Sequence, residues 1–190
     1  RELGFDEQSC EELKRAALLH DIGKIGIPDS ILNKPARLTD EEYKIMKSHV
    51  VKGGEILKNF TLIKNVEQGA LYHHERYDGG GYPDGLKGEE IPIAAQVVSL
   101  ADVYDALISE RCYKKAYSYK KALNMILEGQ CGAFNPTLLL CLQEISERLE
   151  KELMAPDSKG EKRNIPNLQV IKDYNNLLSY EKSTVQFHMQ

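Results

Sequence analysis

The chain has 190 residues, 42% of them hydrophobic, which is enough for one globular domain with a core of its own. Lys and Arg number 25 against 29 Asp and Glu, a formal net charge of −4 that excludes a broadly basic nucleic-acid coat but leaves room for a local basic pocket. No apolar run approaches the roughly 18 residues a membrane-spanning helix needs. The opening Arg1-Glu2-Leu3-Gly4-Phe5 has neither an initiator methionine nor a signal-peptide pattern, so the sequence reads as a fragment of something longer.

Ser9-Cys10-Glu11-Glu12 has the S-x-x-E form of a capping box and predicts a helix with Leu13, Ala16, Ala17, Leu19 and Ile22 on its apolar face, closed by Gly23 and Gly26. A loop with two prolines follows from Ile27 to Pro35. A second box, Thr39 to Glu42, opens a helix carrying Tyr43, Met46 and Val50. Gly53 and Gly54 interrupt its pattern, marking a bend or a close approach of backbones. A third helix is expected from Leu62 to Glu75. From Asp78 to Gly88 five glycines and Pro83 exclude a helix and predict a loop that positions backbone near a ligand or partner. Pro92 starts an apolar helix through Leu107, Ser118 caps another, and Asn135-Pro136 has the N-cap and first-turn signature of a last one bearing Leu138, Leu142, Ile145 and Leu149. No alternating strand pattern occurs, so the fold class is all-α.

Residues 1–155 read as the folded domain. Residues 156–190 are a polar tail with scattered apolar positions: a docked helix, a dimerising helix or a disordered segment. Cys10, Cys112, Cys131 and Cys141 contain no C-x-x-C pair and predict four buried free thiols, as expected of a cytoplasmic protein.

Four of the five histidines fall between positions 20 and 74, and His188 lies apart in the tail. His20-Asp21, His49, His73-His74 and Asp102 together supply imidazole and carboxylate donors without thiolate, a set suited to Mn, Fe or Zn. Each alone has a plainer reading. A single helical histidine is more often a satisfied core or surface residue than a ligand, and Asp102 in its apolar run could pair with Lys24 or Arg111. His74-Glu75 does not continue as H-E-x-x-H, because position 78 is Asp. The metal reading rests on the ensemble.

Residues 16–35, AALLHDIGKIGIPDSILNKP, resemble the signature of the HD superfamily of metal-dependent phosphohydrolases. Residues 73–92, HHERYDGGGYPDGLKGEEIP, resemble the extended signature of its HD-GYP subfamily, and residues 38–57, 100–115 and 134–136 fit that family in order. The resemblance covers residues 1 to about 150. It implies an HD-type helical bundle and a bacterial cyclic di-GMP phosphodiesterase, giving linear pGpG or GMP, with two or three divalent ions, Fe or Mn. Hydrolysis of another cyclic dinucleotide, or a non-catalytic sensor or interaction module, are the competing readings.

Carried over position by position, the resemblance makes His20, Asp21 and Asp102 ligands of one metal, with Asp21 bridging, and His49, His73 and His74 ligands of the other. It makes Lys24 the lysine beside the substrate phosphate, a catalytic role shared with Asp21. Gly81 and Tyr82 of the eponymous motif, with Arg111 and Lys114, would contact the dinucleotide. Cys112 stands where the family commonly has proline, and Asn135 where it has Asp. Family members also carry a histidine, and often a glutamate, on a helix preceding the segment that begins here, so the first family helix is expected to be missing from this chain. An upstream regulatory domain, a homodimer and a diguanylate cyclase contact through the glycine-rich loop are further implications. No DNA or RNA polymer is expected as a partner.

Overall fold

A helix starts where its unpaired amides find an acceptor. In the computed structural model, which describes residues 3–58, 64–110 and 115–154, α1 spans Glu7–Leu19 and its cap is Asp6 rather than Ser9. The Asp6 carboxylate accepts the Ser9 N–H at 2.8 Å, so the expected capping serine is instead the donor. The second box is as expected. Thr39 Oγ1 accepts from the Glu42 N–H, and the Glu42 carboxylate accepts the Thr39 N–H at 2.7 Å, opening α3 (Asp40–Lys47).

The helix expected to run on from Thr39 divides at Ser48, whose hydroxyl donates to the Ile45 carbonyl at 2.6 Å, and α4 (His49–Leu57) begins directly after it. The expected loop after Ile27 contains a four-residue helix, α2 (Asp29–Leu32). It forms because Ile31 and Leu32 bury against Ile27, Leu38 and Met46. Helix α5 (Lys64–Tyr72) ends just before His73. The long helix α6 (Ile93–Ile108) follows Pro92, and α7 (Tyr119–Leu127) is capped by the Ser118 hydroxyl. Helix α8 (Pro136–Met154) follows Asn135, whose side-chain oxygen accepts the Thr137 N–H at 2.8 Å. Two 3-10 turns, Ile22–Gly26 and Gly88–Glu90, complete the order. Among the described residues there is no strand, and no helix is long and apolar enough to cross a membrane.

Two apolar clusters share α6. Ala16, Leu57, Val66, Ala70 and Val98 join α1, α4, α5 and α6, while Leu107, Ala122, Ile126, Phe134, Leu138 and Leu142 join α6 to α7 and α8. Fully buried side chains such as Val66, Val98 and Leu107 each contribute about 1.5–3 kcal/mol. Helix α6 is therefore the beam on which the half of the domain carrying His20, His49 and His73 is fixed. The first 3-10 turn lies directly on α4: a Cβ at Gly23 would stand 1.9 Å from the His49 carbonyl oxygen and 2.4 Å from the Gly53 nitrogen. Only glycine permits that approach, and the approach brings the residues just before Gly23 up to His49.

Cys131 is buried, whereas Cys10 and Cys141 are only half-buried, and all three are free thiols. The other expectations concerning Arg111, Cys112, Lys114 and residues 156–190, with His188 among them, fall outside the described residues.

Candidate metal centre

Three helix ends and the interior of α6 deliver the expected ligands to one place. His20 is the C-cap of α1 and Asp21 leads into the 3-10 turn. His49 is the first residue of α4, and His73 and His74 follow the last turn of α5. Each of three imidazoles is oriented by a backbone carbonyl through Nδ1: His20 on Ala17 at 2.7 Å, His49 on Met46 at 2.8 Å and His73 on Ala70 at 3.0 Å. A carbonyl only accepts, so Nδ1 carries the proton and Nε2 presents its lone pair inward.

These lone pairs converge on Asp21. Its Oδ1 lies 3.3 Å from His49 Nε2 and 3.9 Å from His73 Nε2, and its Oδ2 lies 3.1 Å from His20 Nε2. Asp102, from α6, reaches within 3.7 Å of His20 Nε2. The His73 and His74 rings lie 4.2 Å apart, and the His49 and His74 rings 5.2 Å. Two triads, His49–His73–His74 and His20–Asp21–His73, each have donor atoms within 4.8 Å of one another.

Four buried atoms here, His20 Nε2, Asp21 Oδ1, His49 Nε2 and His73 Nε2, have no hydrogen-bond partner. Orphaned buried acceptors cost about 1–3 kcal/mol each, so a group of them facing one another has to be filled by something positive. The donor set and its geometry fit divalent metal ions. The electrostatics agree. Burial pushes His49 down to about 4 and His73 and His74 well below the usual imidazole range, which leaves them neutral. Burial also opposes the charging of His20, but Asp21 and Asp102 outweigh it and raise the group to about 10. The carboxylates thus demand a cation at His20 Nε2, and either a proton or a metal answers that demand. Burial opposes charge on Asp21 too, yet Lys24 and His20 hold its carboxyl well below the usual range. Lys24 is itself buried and donates to Asp21 Oδ2 at 2.7 Å.

Beside the cluster the glycine-rich loop folds back over residues 74–76. The Tyr82 N–H donates to the His74 carbonyl at 3.2 Å, and the Tyr82 ring stacks on the His74 ring at 4.8 Å and 26°. A Cβ on Gly81 would meet Arg76 N and Glu75 Cα at 2.4 Å each, which is why glycine precedes the tyrosine. The Tyr82–Pro83 peptide is cis.

Glu75 and Arg76 hold this arrangement, and neither was singled out as functional from the sequence. Glu75, 3% exposed, accepts the Asp84 and Gly85 N–H groups at 2.8 and 3.0 Å. Arg76 donates to Ser99 Oγ at 2.8 Å and to the Glu75 carbonyl, with its guanidinium over the Phe134 ring. A loop of five glycines exposes amides that need fixed acceptors, and that requirement was the available signal. Asn135 adds a second tie, donating to Gln96 Oε1 at 2.8 Å; aspartate at this position could not donate.

The family model described as "HD domain" matches residues 1–138. The chain is 44% identical over 145 residues to a cyclic di-GMP phosphodiesterase of Vibrio cholerae, covering 73% of this chain and 30% of that protein. It is also 44% identical over 153 residues to the cyclic di-GMP phosphodiesterase response regulator RpfG of Xanthomonas campestris, covering 79% of this chain and 40% of the relative. The chain thus spans well under half the length of these relatives. Its fold matches a crystal structure of a cyclic GMP-AMP-specific phosphodiesterase of V. cholerae with a TM-score of 0.63 at 20% identity, covering 94% of this chain and 51% of that one.

Proposed function

This chain belongs to the HD-domain family, and from that premise we propose that it is the catalytic part of a metal-dependent phosphodiesterase that hydrolyses cyclic di-GMP to pGpG or GMP. One observation carries the reading: four unpartnered buried donor atoms converge beside a loop whose tyrosine stacks on one of the histidines. The named activity of the relatives supports the substrate. In this reading His20, Asp21 and Asp102 would hold one divalent ion and His49, His73 and His74 a second. Fe or Mn suits this nitrogen and oxygen set. Divalent ions at such a site supply Lewis-acid stabilisation of phosphoryl oxygens and ease deprotonation of an attacking water.

The protein's own groups do the rest. The three backbone carbonyls hold His20, His49 and His73 in the ligating tautomer. Lys24, tethered by Asp21, keeps a positive charge at the edge of the cluster, where charge builds on the diester. Gly81 and Tyr82 form one wall for the dinucleotide, and Arg111 and Lys114 are proposed to bind its second phosphate or a guanine edge. A cytoplasmic location in second-messenger signalling goes with this reading.

Incubating the Mn²⁺- or Fe²⁺-loaded protein with cyclic di-GMP, and separating nucleotides by chromatography, tests it. Appearance of pGpG or GMP is expected. Bound metal with intact cyclic di-GMP after prolonged incubation refutes the assignment, and cyclic GMP-AMP in parallel ranks the alternative substrate.

A further inference from the structure

The aromatic stack that begins at His74 does not end at Tyr82. Lys47 also lies over it, its Nζ 5.5 Å from the centre of the Tyr82 ring and 5.0 Å from that of Tyr43. Tyr43 and Lys47 are one turn apart on α3, so they share a face, and Lys47 precedes the ligand His49 by two residues. Tyr43, Lys47 and Tyr82 are all partly exposed, unlike the buried His74. Among the described residues no carboxylate pairs with Lys47. Its charge faces only rings, an arrangement that persists because an ammonium is attracted to the negative faces of phenols.

We propose that Tyr43, Lys47 and Tyr82 form a subsite for one guanine base of the dinucleotide, with Tyr43 and Lys47 determining base specificity. This rests on the phosphodiesterase reading above. A cyclic dinucleotide whose phosphodiester lies at the His/Asp cluster carries its bases a few ångströms away, and this wall leads outward from the cluster. As Lys47 turns from the rings toward the base, the base takes its place against them, since every nucleobase can stack on an aromatic ring. Lys47 then donates to guanine O6 and N7, both acceptors. Adenine presents N7 but an amino donor in place of O6, so the lysine discriminates between them.

Steady-state kinetics of the metal-loaded full chain test this with cyclic di-GMP, cyclic di-AMP and bis(p-nitrophenyl) phosphate, a diester without a purine base. Lys47→Met and Tyr43→Leu are each expected to raise KM for cyclic di-GMP about tenfold with kcat nearly retained. The loss on cyclic di-GMP should exceed that on the base-free diester several-fold. Lys47→Met should also narrow the preference for cyclic di-GMP over cyclic di-AMP, and Lys47→Arg should restore most of it. Equal losses on the nucleotide and base-free diesters, or wild-type KM values, overturn the subsite. If wild-type protein with bound metal cleaves no dinucleotide, the phosphodiesterase reading is what fails. Calorimetric binding of cyclic di-GMP then decides the subsite, a tenfold weakening in both variants supporting it and wild-type affinity overturning it.

Discussion

Replacing Gly81 by alanine puts one methyl group into the seam between the glycine-rich loop and the residues beneath it. The new Cβ would stand 2.4 Å from Arg76 N and Glu75 Cα and 2.6 Å from Glu75 C, where ordinary contact begins at 3.4 Å. All three neighbours are backbone atoms of a segment held by the Glu75 and Arg76 side chains, so the loop must lift by about 1 Å. Overpacking of this kind costs about 1–3 kcal/mol, readable as a lower urea midpoint with unchanged slope. The displacement carries Tyr82 off the His74 ring and stretches its 3.2 Å hydrogen bond to the His74 carbonyl. A misplacement of about 1 Å in a positioning group can cost about 100-fold in rate, so kcat/KM for cyclic di-GMP should fall by that order. Gly80→Ala is the control. Its Cβ meets only the movable end of Asp78, at 3.2 Å, and the variant should stay within about 0.5 kcal/mol and a few-fold in rate. A Gly81→Ala protein with wild-type stability and activity refutes this account of the seam.

Gly23→Ala should be worse, since its Cβ would stand 1.9 Å from the His49 carbonyl oxygen. A loss of roughly 3 kcal/mol or more and metal content well below wild type are expected, read by thermal melting and elemental analysis. Asp21→Asn removes the carboxylate on which three histidines and Lys24 converge, and it should abolish stoichiometric metal binding while leaving the helical circular dichroism intact. Arg76→Met keeps much of the volume but strips the Ser99 and Glu75 carbonyl acceptors of their donor, and should cost about 2–4 kcal/mol in urea unfolding. For metal-free protein, His49 is held at about 4 against an ordinary 6.5. Between those values the unfolded chain takes up a proton that the folded one refuses. The stability His49 contributes is therefore full above about pH 6.5 and is lost as pH falls toward 4, by about 3 kcal/mol. His73 and His74 act in the same direction. Urea midpoints that rise on acidification over this window would contradict that arrangement.

The helical order was legible because capping groups and periodicity carry it: Thr39, Ser118 and Asn135 cap as expected. The Asp6 start was missed because a carboxylate three residues upstream captured the serine's amide. The break at Ser48 was missed because both flanking segments are helical and share one apolar pattern. At the site, the expected ligand types do come together, since histidine and aspartate carry their chemistry in their identity. Glu75, Arg76, Tyr43 and Lys47 do not. Their roles depend on which backbone amide or ring lies opposite, and that is a property of the folded arrangement alone. The neighbours of Gly23 and Gly81 belong to the same class.

Residues 73 to 76 point four consecutive side chains at four different tasks: His73 toward Asp21, His74 under Tyr82, Glu75 to the loop amides and Arg76 to Ser99 and Phe134. The glycine-rich segment is thus no interchangeable cassette. A chimaera that swaps in a relative's loop from residue 79 onward leaves behind the acceptors that shape it. One that swaps from residue 75 onward brings them along. Where a relative differs at position 75 or 76, exchange of the loop should therefore succeed at the second junction and fail at the first.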